Sequence, residues 1–272
     1  MHSCVLGIDL GGTKLSAKLM AQDGSELEFK SFPTDSDFLL QLHTLYAEYR
    51  NRWGKISVVS LGVPGPVSDG IMGVSFPLNT KAPTNFCDCF PGVDELIVKN
   101  DLYMATYAEL KFGIGTRQRN FVLVSVSTGI GVGVVINGEI LNARTEMGHQ
   151  VLFFADQDVK QCSNHSGCWA SVCSGKAIQS SEVTVDFDQI KEVNRLALAN
   201  LVAAYDPQAI VLMGGVATNL FDKVIPGKED LSGLVIHSPL PEILLTQLGS
   251  EIGLIGALKL AHDRFHCCDY AN

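Results

Sequence analysis

No apolar run in this 272-residue chain approaches the length of a bilayer span. The start, Met1-His2-Ser3-Cys4, leads straight into an apolar stretch and lacks the pattern of a secretory signal. Secretion is therefore not expected, and a cytoplasmic protein is. Positive charge is scarce too: 20 Lys and Arg face 29 Asp and Glu, for a formal net charge of −9. That balance argues against a nucleic-acid surface. It leaves room for a local anion site. The eight cysteines lack the regular spacing of a small disulfide scaffold. Reduced, mostly structural thiols follow. Cys87-Asp88-Cys89 and Cys267-Cys268 read as free thiols, with oxidative pairing or metal binding as alternatives.

Two common nucleotide motifs are also missing. The P-loop needs G-x-x-x-x-G-K-[ST] running into a helix. Gly7 and Gly12 have that glycine spacing, but Thr13-Lys14 is in the reverse order and a strand follows. No G-x-G-x-x-G opens a helix, so a dinucleotide fold is disfavoured.

What is present is Val5-Leu6-Gly7-Ile8-Asp9-Leu10-Gly11-Gly12-Thr13-Lys14. It reads as a strand that ends in an acid, turns on two glycines and leaves as a second strand, Leu15 to Met20. Glycines at such a turn let backbone N–H groups crowd around an anion. Thr13 adds a hydroxyl, Lys14 a charge, and Asp9 a group able to hold hydrated Mg²⁺. The alternative is an ordinary Gly-Gly hairpin.

With nearly half its residues hydrophobic, the chain can build one large or two medium domains. A third strand is expected over Leu27 to Phe32. Phe38, Leu39, Leu42, Leu45, Tyr46 and Tyr49 have helical spacing, with Asp35 or Ser36 as the expected N-cap. Strands are expected at Ile56 to Leu61 and Leu96 to Val98, and a helix from Leu102 to Phe112, ending at Gly113. The pattern then restarts. Phe121 to Ser127, the turn Thr128-Gly129-Ile130-Gly131 and Val132 to Ile136 repeat the strand, turn, strand opening. A long helix over Asp188 to Ala204, a strand at Ile210 to Met213 closed by Gly214-Gly215, and a last helix from Glu251 to Phe265 follow. Two similar α/β halves flanking a cleft are expected, each aiming a glycine turn at it.

These residues resemble the ROK family of sugar kinases and related repressors, within the actin/hexokinase/Hsp70-like fold. The first phosphate motif is similar to Asp9-Leu10-Gly11-Gly12-Thr13-Lys14, and the second to Ser127-Thr128-Gly129-Ile130-Gly131. The sugar-side loop resembles Leu61-Gly62-Val63-Pro64-Gly65-Pro66-Val67. Asn100-Asp101 matches the catalytic pair, Glu146-Met147-Gly148-His149 the E-x-G-H segment, and Gly214-Gly215-Val216 the turn near the adenosine. The resemblance implies two RNase H-like lobes, one of residues 1–115 with 251–272 and one of 116–250. It implies Mg²⁺ and ATP, a small-molecule sugar, and a homodimer.

It also implies site roles. Asp101 becomes the general base; read from the residues alone it is first an N-cap for the helix from Leu102 to Phe112. Asn100 orients sugar hydroxyls or simply forms a turn. Gly65 offers its backbone or only stiffens a Pro-Gly-Pro turn. Asn79 lies where the family often places a sugar-contacting Asn, though its flanks match poorly. Glu146 and His149, three apart, share a face on one helical turn. The resemblance makes Glu146 a sugar ligand and His149 a ligand of both sugar and zinc.

The family's zinc loop, C-x-C-G-x-x-G-C-x-E, departs here. The segment is Gln161-Cys162-Ser163-Asn164-His165-Ser166-Gly167-Cys168-Trp169-Ala170. Only Cys168 matches without a gap. Tetrahedral Zn²⁺ prefers four N or S ligands; His149, Cys162 and Cys168 supply three, and His165 or Cys173 a fourth. A metal-free loop is the alternative. The family's final Glu falls on Ala170. Losing one charge-assisted hydrogen bond costs about 1.5–3 kcal/mol, or roughly one to two decades of sugar affinity. That weakens or redirects specificity while leaving base and phosphate turns in place.

An ATP-dependent hexose kinase is therefore expected, acting on the 6-hydroxyl, with glucose first. N-acetylmannosamine, fructose and mannose are alternatives. A sugar-sensing repressor is disfavoured because the first motif begins at Asp9, leaving no room for a helix-turn-helix. A non-catalytic sugar-binding protein is the remaining alternative.

Overall fold

A computed structural model of the chain describes residues 3–142, 146–152, 166–180, 185–236 and 238–268. The packing divides into one unit of Met1–Ala108 with Ser250–Asn272, and a second of Glu109–Gly249. In the first, strands β1 (Cys4–Leu10), β2 (Lys14–Ala21) and β3 (Glu26–Pro33) precede helix α1 (Phe38–Trp53) and strand β4 (Ile56–Val63). Two short strands, β5 (Val67–Ser68) and β6 (Ile71–Met72), pair with each other. Strand β7 (Glu95–Asn100) leads into helix α2 (Asp101–Phe112). The second unit holds β8 (Phe121–Val126), β9 (Ile130–Ile136), β10 (Glu139–Ile140), α3 (Trp169–Cys173), α4 (Gly175–Gln179), α5 (Phe187–Tyr205), β11 (Ala209–Met213), α6 (Gly215–Val224) and β12 (Glu242–Leu245). Helix α7 (Ile252–Cys268) returns to the first unit. Among the described residues, no helix is long and apolar enough to cross a membrane.

Both main sheets have the same plan. Their strand orders are β3-β2-β1-β4-β7 and β10-β9-β8-β11-β12. In each, three strands pair antiparallel and the next two join in parallel. The turn of the second hairpin is set by Asn137 and Gly138, both at positive φ (56° and 80°), as a two-residue hairpin requires.

Strand alternation decides what each face of the first sheet touches. Leu6, Ile8 and Leu10 of β1, with Val59, Leu61 and Val63 of β4, pack in one core with Leu42, Leu45, Tyr46 and Tyr49 of α1. The residues between them face α7 and α2. Val5 and Val58 pack on Leu258 and Ala261. Gly7 lets the backbone of α7 come close; a Cβ there would lie 2.5 Å from the amide nitrogen of Leu258. Strands β1 and β4, buried along nearly their whole length, are those of a sheet covered on both faces.

The N-cap of α1 is Asp37, whose Oδ1 accepts from the Leu40 amide at 3.1 Å; neither Asp35 nor Ser36 takes that place. Asp35 instead turns the preceding chain, accepting from the Asp37 amide. Three adjacent polar residues compete here, and the one whose oxygen reaches three residues ahead caps the helix.

Candidate functional site

The chemistry of the first unit gathers where its parallel strands end. In the sheet register Asp9 lies beside Gly62, Gly62 beside Lys99, and Val63 beside Asn100. Alternation from Val5 through Gly7 turns Asp9 toward α7. Gly253, in the first turn of α7, meets it: a Cβ there would come within 2.9 Å of Asp9 Oδ2. The positive end of the helix dipole is thus aimed at this carboxylate. Gly62 leaves space on the same side, where a Cβ would lie 3.1 Å from Met104 Cγ and 3.7 Å from Asp101 Cα. Small residues between β1 and α2 therefore let two carboxylates share one region.

The electrostatics follow from that crowding. Burial, with the charges of Asp101 and Glu251, raises Asp9 to about 7, against the pull of Lys14. Asp101 is raised to about 6, chiefly by burial, while backbone amides of Leu102 and Asp101 itself favour the charged form. Asp101 opens α2 as its first residue. The Leu102 amide donates to both Asn100 Oδ1 (2.9 Å) and Asp101 Oδ1 (2.8 Å). The helix cap is thus shared, and Asp101 is not committed to it alone.

Asn100 also donates from Nδ2 to the Gly65 carbonyl at 3.0 Å, tying strand end to loop. That loop is braced by Ser75 Oγ on the Pro64 carbonyl and by the Ser75 amide on Thr80 Oγ1. Asn79 follows on the same loop at φ 52°, a left-handed conformation that Asn tolerates. Gly11, Gly12 and Thr13 connect β1 to β2 as expected; the Gly11 amide donates to the Lys14 carbonyl, and Thr34 Oγ1 holds the Gly11 carbonyl at 2.7 Å. Gly12, Thr13 and Lys14 are exposed. Gly12 is required sterically, since a Cβ would sit 2.7 Å from the Pro77 carbonyl oxygen.

The second unit assembles the other glycine turn from three segments. After β8, the Ser127 amide donates to the Gly129 carbonyl, so Thr128 and Gly129 form the tip and Ile130 and Gly131 already lie in β9. The amides of Gly175 and Lys176 donate to the carbonyls of Ser127 and Thr128. Gly214, at φ 93°, packs on the same turn; a Cβ there would be 2.6 Å from the Val126 carbonyl oxygen. It precedes α6 with no side-chain cap. The first-turn N–H groups of α6 consequently have no capping side chain, the arrangement that favours an anion. Among the described residues, no atom from outside the local chain lies within 4 Å of where a Cβ on Gly129 or Gly215 would stand.

Glu146 and His149 bracket a single 3₁₀ turn, Met147–His149, in place of an α-helical one, and the His149 amide bonds back to the Glu146 carbonyl. Gly148 fits because a Cβ would strike the Ile130 carbonyl oxygen, which seats this turn on β9. His149 Nδ1 lies 3.8 Å from Cys168 Sγ. Cys162 and His165 lie outside the described residues. Cys173 is buried and bonded through Sγ to the Ile190 carbonyl, so it packs in the core. Among the described residues, no group of three or more His, Cys, Asp or Glu is arranged to hold a metal.

Sequence reading overlooked Gly253 and Glu251. Their one local signal is the pair Gly253 and Gly256, three apart in an otherwise apolar helix start.

The chain is 28% identical to an N-acetylmannosamine kinase from Yersinia pseudotuberculosis, over 93% of this chain and 96% of that one. It is 24% identical to a glucokinase from Streptomyces coelicolor, over 95% and 97%. A solved structure of a ROK family glucokinase from Streptomyces griseus, in complex with glucose and AMPPNP, superposes with a TM-score of 0.73 at 22% identity, covering 96% of this chain and 99% of that chain. The fold is that of the actin/hexokinase-like proteins. A family model described as the ROK family matches residues 5–195, and the chain belongs to that family.

Proposed function

We propose that this protein is an ATP-dependent hexose kinase in which Asp101 takes the proton from the attacking sugar hydroxyl. One observation carries the reading: a largely buried carboxylate opens a helix at the ends of parallel strands, near a second carboxylate, Asp9 of β1, that faces the first turn of α7. Phosphoryl transfer needs a positioned hydroxyl, a base and charge neutralisation. Asn100, Gly65, Asn79, Glu146 and His149 would orient the sugar. Gly11, Gly12, Thr13 and Lys14 would hold phosphate oxygens, as would Thr128, Gly129, Ile130, Gly131, Gly214 and Gly215.

Asp9 supplies an oxygen ligand of the kind Mg²⁺ prefers, and a cation beside it would favour the charged form that burial disfavours. Bound Mg²⁺ would neutralise phosphate charge there. His149 and Cys168, 3.8 Å apart, suit two positions of a zinc site that Cys162 and His165 would complete. The homodimer rests on the family resemblance alone.

Glucose phosphorylated at the 6-hydroxyl is the first reading. N-acetylmannosamine is the second, favoured by the 28% identical relative that is an N-acetylmannosamine kinase. A coupled ADP-release screen over glucose, N-acetylmannosamine, mannose and fructose tests both. One sugar is expected to drive ADP release at least tenfold above the sugar-free rate. Sugar binding without any sugar-dependent release would overturn the kinase and support a binding protein.

The pH profile is a separate test. A base must be deprotonated to act, so a raised pKa moves the acid limb upward. With Asp101 at about 6 and Asp9 at about 7, kcat/KM should begin to fall just below neutrality. Its slope should steepen toward two below about pH 6, where both groups are protonated. A single limb near pH 4 would remove both carboxylates from these roles.

A further inference from the structure

The C-terminal half of α7 carries two histidines one turn apart. His262 Nε2 and His266 Nε2 are 3.2 Å apart. Their ring centroids are 4.5 Å apart, so the Nε2 edges face one another. An i,i+4 pair on one helix is already in register for a shared ligand, because the backbone fixes the spacing. Lys259 and Tyr107 bond to Asp263, between the two histidines in sequence, and Phe265 packs edge-on to His266. The turn at Gly24 approaches His262; a Cβ there would lie 3.8 Å from Nε2.

A cation placed at the usual Zn–N distance of about 2.0–2.1 Å from both nitrogens would subtend an angle of about 100°. That lies between square-planar and tetrahedral geometry. Imidazole nitrogens suit Zn²⁺ and Ni²⁺ and do not suit Mg²⁺ or Ca²⁺. No third His, Cys, Asp or Glu joins them among the described residues. We propose that His262 and His266 form a bidentate site for a late first-row divalent cation, with water in the remaining positions. Nine residues of α-helix, about 14 Å of rise, separate His262 from Gly253 at the Asp9 carboxylate, so the site is distinct from the one described above. A cation bound here would pin the last turns of α7 and stabilise the folded chain by mass action.

The test uses the untagged, metal-stripped full chain dialysed against Ni²⁺, with bound metal counted and thermal midpoints recorded with and without the ion. The expected result is an equivalent of metal, and a metal-dependent rise in midpoint, that are both lost in His262→Gln and in His266→Gln. His149→Gln should keep that equivalent. If either helix variant fails to fold, broadening of the His262 and His266 ring resonances by Ni²⁺ in the parent chain gives the same answer. Unchanged stoichiometry and affinity in a folded His262→Gln/His266→Gln double variant would overturn the site. So would a parent chain whose ring resonances ignore Ni²⁺.

Discussion

Replacing Asp101 with Asn should lower kcat by roughly 10²–10⁴-fold while leaving nucleotide affinity nearly unchanged. General-base catalysis contributes about that factor, equivalent to about 3–5 kcal/mol of barrier. Asn is a discriminating choice. Its carbonyl keeps the acceptor that Asp101 Oδ1 presents to the Leu102 amide, and Asn100 shares that amide in any case. If Asp101 served only to start α2, the variant would fold, bind nucleotide and turn over as before. The measurement is coupled ADP release at saturating sugar, with nucleotide binding by calorimetry. Turnover within tenfold of the parent would show that Asp101 is a cap and not the base. Removing the charge should also lower the pKa of Asp9, which Asp101 now raises. The onset of the acid limb would follow it downward in whatever activity remains.

The second large effect is on stability. Gly256→Ala should destabilise the first unit, although Ala is the better helix former by about 1 kcal/mol. Helix α7 crosses α2 at this point, and a Cβ on Gly256 would strike the carbonyl oxygen of Met104 and lie 3.2 Å from the Ala108 amide nitrogen. Both obstacles are backbone, so no side-chain rotation relieves them. Overpacking a core costs about 1–3 kcal/mol, occasionally more, and here it meets helix backbone instead of side chains. The clash exceeds the propensity gain, so the net sign is destabilising by about 2 kcal/mol or more. A fall in thermal midpoint of roughly 5–10 °C is expected. Displacing α7 would also move Gly253 from Asp9, so activity should fall with stability. A midpoint equal to or above the parent's would mean that the two helices can separate without cost.

Much of the site was readable locally. A strand that ends Asp9-Leu10-Gly11-Gly12-Thr13-Lys14 makes its turn from neighbouring residues, and β1 and β2 formed around it as expected. The same holds for Ser127-Thr128-Gly129 after β8. The Asn100-Asp101 junction was legible because strand end and helix start abut in sequence. Local reading failed where near-equal choices compete, as at the cap of α1, where Asp37 displaced Asp35 and Ser36. Glu146 and His149 were placed on one helical turn by their spacing, and the turn that forms is 3₁₀.

The sequence by itself determined the two glycine turns, the helix that begins with an acid and the repeated strand order. Each depends on residues within a few positions of one another and on strand and helix periodicity. Only tertiary structure decided what surrounds the carboxylate of Asp9. That depends on a register placing Gly62 beside it, and on a helix from the far end of the chain laying Gly253 against it. Such contacts join residues more than fifty and more than two hundred positions apart. No local propensity encodes them. The pKa values follow from the same packing, because burial is the largest influence on both carboxylates and exists only once the sheet is covered.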